Sequence, residues 1–121
     1  MGDLLAADTY SSMDVREAAA EVRRLVGPAL TAYLADLGSV AELDRRLASD
    51  GEEIHPRLRL VLSLAEQFRG YNAITRFRAW LREFDAESGG KTCPAEMIRD
   101  TADPTVSKIL HEAAGQYLRA L

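Results

Sequence analysis

The chain has 121 residues, 47% of them hydrophobic and 28% charged, with a formal net charge of −4. Such a composition fits one compact domain with a core large enough to need no staples. A single cysteine excludes an internal disulfide and a four-cysteine metal site, and no apolar run approaches the roughly 20 residues of a membrane span.

The opening residues, MGDLLAADTYSS, hold few large apolar side chains, and residues 1–11 are expected to form a flexible tail. They also lack the basic start of a secretory signal, so the chain reads as cytoplasmic. A first helix starts near Ser12 or Asp14, both good caps, and carries Val15, Ala18, Ala19, Val22, Leu25 and Val26 at helical spacing. Gly27 ends it, and Pro28 suits the first turn of the next helix, Ala29 to Leu37, with Gly38 in the turn. Ser39 and Glu42 form a capping-box pattern ahead of a third helix, Val40 to Ser49. In this pair Leu34, Leu37, Val40, Leu43 and Leu47 face inward, and Glu42, Arg45, Arg46 and Ser49 face out.

The stretch ASDGEEIH reads as a loop, and Pro56 opens a fourth helix with Leu58, Val61, Leu62, Ala65 and Phe68 inward. A break at RGYN follows, with Asn72 as the cap of a fifth helix whose stripe is Ile74, Phe77, Trp80, Leu81 and Phe84. DAESGGK is a second loop. TCPAEMIRD is a short helix with Thr92 as cap, and ADPTVSKILHEAAGQYLRAL is the last. Its inward side carries Val106, Ile109, Leu110, Ala113, Tyr117 and Leu121. No segment alternates with period two. The fold class is therefore all-α: a single compact domain of about six or seven helices, with a helix-turn-helix-like part over 12–55 and a C-terminal helical part over 56–121.

Charge is unevenly spread. Ile54 to Arg82 holds six arginines and one acid, whereas Glu83 to the end holds seven acids and four bases. A chain of net −4 is a poor general binder of nucleic acid. Enzyme chemistry finds no foothold: there is no phosphate-binding or dinucleotide-binding glycine run, and Ser12, Ser63 and Ser107 lack a nucleophile-elbow context. Cys93 has no histidine at a readable motif spacing, and His55, His111 and Cys93 lack the spacing of zinc ligands. No catalytic residue, cofactor or metal site is expected.

The order of motifs resembles a known family. Gly27-Pro28, then LTAYLADLGS and a short helix, is similar to the helix-turn-helix half of the Xre–MbcA–ParS antitoxin-like family. ITRFRAWLREFD, GGKTCPAEMIRD and the closing helix resemble its C-terminal half, with Pro94 to Ile98 matching a P-x-x-x-[LI] helix. The likeness spans roughly Val22 to Leu118. The family often carries a Trp near the end of the second motif helix, where this chain has Leu47. The resemblance implies an antitoxin that binds and neutralises a RES-type toxin, an enzyme that attacks NAD, and that in many members also binds its own promoter.

On that reading Ser39, Glu42, Arg45 and Arg46 are the candidate DNA-binding residues, since arginine can read guanine and glutamate can accept from cytosine. The acids at 42 and 44 repel phosphate. Arg78, Arg82, Tyr117, Leu118 and Leu121 are the candidate partner-binding residues, the last helix being expected to occlude the partner's active site. The rival reading is a helical adaptor or dimeric interaction module with no DNA role, the partner then being another protein or a second copy of the chain.

Overall fold

In the computed structural model the described residues are 13–83, 93–100 and 104–121. They form seven α-helices and no strand: α1 Val15–Val26, α2 Pro28–Leu34, α3 Val40–Ser49, α4 His55–Gly70, α5 Phe77–Leu81, α6 Pro94–Asp100 and α7 Pro104–Arg119. Short 3₁₀ turns, Glu52–Ile54 and Ile74–Arg76, lead into α4 and α5. The all-α architecture read from the sequence is the one observed. The tail over 1–11, the loop over 85–91, Thr92 and Phe84 lie outside the described residues.

Local chemistry sets most of the helix ends. The Asp14 carboxylate accepts from the Glu17 backbone N–H at 2.8 Å, so Asp14 is the cap of α1. Ser39 Oγ accepts from the Glu42 N–H at 3.2 Å and starts α3. The return arm of a capping box is not made, because Glu42 turns to two arginines described below. Gly27 joins α1 to α2 at φ 91°, a conformation that a side chain would strain, and its N–H closes α1 on the Arg23 carbonyl at 2.8 Å.

Two ends differ from the sequence reading, for one reason. α2 stops at Leu34, not Leu37, because Asp36 takes the left-handed conformation at φ 62°. The Asp36 N–H then bonds Tyr33 O at 3.0 Å and the Leu37 N–H bonds Ala32 O at 2.9 Å, which consumes the last carbonyls of the helix. Asn72, at φ 54°, does the same for α4: its N–H reaches Arg69 O, and Ala73 N–H reaches Phe68 O. Asn72 therefore closes the helix before it and does not cap the one after. Asp and Asn tolerate this conformation better than most residues, so they can close a helix where glycine is the usual choice.

α4 is the centre of the molecule. Leu58, Leu60, Val61, Leu62, Leu64, Ala65 and Phe68 are all buried, which takes up more than one face of the helix. α1 packs on one side of it and α7 on another, and α6 touches both α2 and α4. The regions 12–55 and 56–121 thus share one continuous core. Phe68 sits where they meet. Its ring lies 5.2 Å from those of Phe77 and Trp80 and 5.8 Å from that of Tyr117, centroid to centroid. These are separations at which aromatic pairs attract beyond simple burial.

Three apolar positions depart from expectation. Ile54, read as loop, is buried by the 3₁₀ turn that precedes α4. On α7 the buried stripe runs through Leu110, Ala114 and Leu118, so Ile109, about 100° round the helix from Leu110, is left 47% exposed. Leu121 lies past the end of the helix and is 57% exposed. Leu37 and Leu47 are half-buried against the core and Leu34 and Leu43 are fully enclosed, while Val40, read as inward, is half-buried without packing on that core.

Candidate partner-binding cleft

α2, α5 and α6 surround an open cleft of about 500 Å³. Ala29, Leu30 and Tyr33 come from α2, Arg78 from α5 and Arg82 from the turn after it. Cys93 and Ala95, both buried, complete the described lining at the start of α6. The residue order explains the arrangement. Phe77, Trp80 and Leu81 face the core, so Arg78 and Arg82, four apart, are left together on the outer side. A Cβ built on Gly27 would lie 4.0 Å from Arg78 Nη2, so this guanidinium reaches across to the bare backbone between α1 and α2.

Tyr33 is fixed from behind. The Arg99 guanidinium lies 4.8 Å from its ring centroid, and Arg99 Nη1 donates to the Tyr33 hydroxyl at 2.9 Å. Arg99 is itself paired with Asp100 at 2.7 Å. Burial pushes the Tyr33 phenol up from its ordinary value, which keeps it neutral with its own hydrogen to donate. α6 is held in place by α4: Arg57 Nε donates to the Ile98 and Arg99 carbonyls at 3.2 and 3.1 Å.

The described lining of the cleft is basic and carries no acid. No carboxylate among the described residues lies within 4.0 Å of Arg78 or Arg82. Several other arginines are paired, Arg23 with Asp44 at 3.0 Å, Arg69 with Glu66 at 2.7 Å and Arg24 with Glu21, whereas Arg16 and Arg57 bond backbone carbonyls instead.

The proposed reading helix shows the opposite pattern. Ser39 is spent on its own helix end. Arg45 pairs with Glu42 at 3.0 Å, and Arg46 pairs with Glu42 at 3.3 Å and with Glu53. Glu53 shares Arg46 with Glu42, and its own backbone N–H followed by the Arg46 guanidinium holds its carboxyl below the ordinary value. Asp44 is turned to Arg23 of α1. All four residues singled out for DNA lie at the outer side of α3, and three of them form one ion-pair group.

Among the residues singled out for a partner, Arg78 and Arg82 come together in the cleft. Leu118 does not belong with them: it is 2% exposed and part of the core. Tyr117 is half-buried with its ring on Phe68, and Leu121, though exposed, is not among the cleft residues. The physical reason is the phase of α7, which turns Leu118 onto α4 with Leu110 and Ala114.

A polar link that sequence spacing does not reveal ties α7 to α4. Gln67 Nε2 donates to the His111 carbonyl at 3.2 Å, which orients the Gln67 Oε1 toward the His111 ring at Nδ1. Nδ1 therefore carries the hydrogen, and Nε2 faces Ser63 Oγ at 3.1 Å. His55, Cys93 and His111 are not gathered as a metal-ligand group among the described residues. No described helix is long and apolar enough to cross a membrane. Comparison with family models, curated proteins and solved structures finds no match.

Proposed function

We propose that this chain is a cytoplasmic binding protein of antitoxin type that captures a protein partner, a RES-type toxin on the family resemblance, through the α2/α5/α6 cleft. One observation carries this reading: among the described residues the two arginines that meet in the cleft have no counterion, whereas those of the reading helix have them. Arginine is over-represented at the energetic centres of protein interfaces, and one without a described counterion gives up no described ion pair when a partner arrives. Capture in the cleft is preferred here to the expected occlusion by a helix or chain end, since the inner face of α7 is committed to the core and only its end at Leu121 stands exposed.

The rival adaptor reading draws on the same ion pairs of α3, which leave the helix pair as scaffold. Co-expression with the product of the adjacent gene separates the two. Antitoxin action predicts a co-purifying complex together with relief of growth arrest. A complex without relief favours the adaptor. Absence of both defeats the partner-binding reading for that gene product.

A further inference from the structure

We propose that the cleft accepts an acidic side chain presented by a protein partner, a glutamate or aspartate flanked by apolar residues. The proposal rests on the partner-binding reading above and names the chemistry of the partner.

Three observations lead to it. First, the cleft holds two guanidinium groups and no described carboxylate, in a chain whose net charge is −4. Two cations four residues apart on one face repel each other, and an incoming carboxylate removes that repulsion. Second, the neutral phenol of Tyr33 has its oxygen engaged by Arg99 and its hydrogen still to donate. The cleft thus offers charged forks and a neutral donor, the set that satisfies a carboxylate with its several lone pairs. Third, the rest of the described wall is uncharged and mostly apolar: Ala29, Leu30, Cys93 and Ala95. That wall suits an aliphatic side chain next to the acid and offers nothing to a second charged group.

The shape decides between sources of the anion. Sites for small molecules enclose most of the ligand surface. Here Ala29, Arg78 and Arg82 are exposed at the rim, so the described residues would leave much of a free metabolite uncovered. A side chain standing on a protein surface brings its own cover. Long-range attraction between the basic cleft and an acidic partner would also speed encounter, at a rate that falls with added salt.

The test uses the full chain labelled with ¹⁵N, observed at the arginine Nε–H signals. The probe is a capped peptide, acetyl-Ala-Leu-Glu-Leu-Ala-amide, beside the same peptide with Gln for Glu, and inorganic phosphate. The expected result is a saturable shift confined to Arg78 and Arg82 with the Glu peptide, weaker by about tenfold with the Gln peptide. It disappears in R78Q/R82Q, whose exposed positions predict an unchanged thermal melt. Each single variant, R78Q and R82Q, gives an intermediate shift. Equal shifts from both peptides, or shifts spread over the other exposed arginines, overturn the proposal. So does tighter binding of phosphate than of the Glu peptide, which would assign the cleft to a phosphoryl ligand. Because the titration needs no natural partner, it succeeds or fails independently of co-expression with the adjacent gene.

Discussion

His111 is held by α4 at its ring and at its own carbonyl, and this makes it the residue most exposed to a change of pH. Burial lowers its pKa from 6.5. In the window between the lowered folded value and 6.5, the unfolded chain binds a proton that the folded chain does not. The stabilisation is therefore full above the unfolded value and is lost as the pH falls through that window. Protonation also makes Nε2 a donor, so Ser63 must turn its hydroxyl hydrogen to the Leu60 carbonyl, 2.9 Å away. Thermal melts at about pH 7.5 and about pH 5.5 should differ by a few degrees, and H111Q should shrink the difference. Glu21, Glu53 and Asp100, whose carboxyls are held low, add a loss of the same sign at more acidic pH, which H111Q leaves in place. Ser63 and Gln67 were visible in sequence at i, i+4. Their partner, 44 positions past Gln67, was not, because only the packing of α7 on α4 brings it there.

Helices were legible where their own residues decide them. Asp14, Ser39, Pro28 and Pro94 marked starts through capping and fixed φ, and those starts are observed. What escaped was decided by neighbours. α7 has apolar residues over a wide arc, and only contact with α4 selects Leu110, Ala114 and Leu118 over Ile109 and Leu121. A pair of variants tests this phase. L118A should cost about 2–5 kcal/mol in urea unfolding, as expected for an enclosed leucine. L121A should change stability by less than about 0.5 kcal/mol, as for an exposed position. Near-equal losses would mean that α7 is rotated from the phase described.

For the molecule as a whole, the sum of charges matters less than which of them are already spent. The basic stretch over Ile54 to Arg82 was plain in the sequence, but which arginines had found acids was not, since Arg46 with Glu53 and Arg23 with Asp44 cross between elements. Arg78 and Arg82 could be seen to share a face. The cleft wall that gives the face a shape comes from Leu30 and Tyr33, about 50 residues earlier in the chain, beyond the reach of any local pattern. The same accounting predicts weak DNA binding. In gel-shift titrations at low salt, upstream DNA should show no affinity that depends on Arg45 and Arg46, and R45A/R46A should leave any residual binding within about twofold of the parent. A base-reading pair would lose about 1–3 kcal/mol for each contact removed, a decrease of tenfold or more.

Arg57 lies outside the cleft and yet has a hold on its shape, through the two α6 carbonyls it binds. It works as a tether: slacken it, and the wall carrying Ala95 and Cys93 can drift from α2 with every lining residue unchanged. Two homologues with identical cleft residues could therefore prefer different ligands if one of them had lost this tether. Alignments that compare lining residues alone would misjudge which of them share a binding preference, and the identity at position 57 belongs in any such comparison.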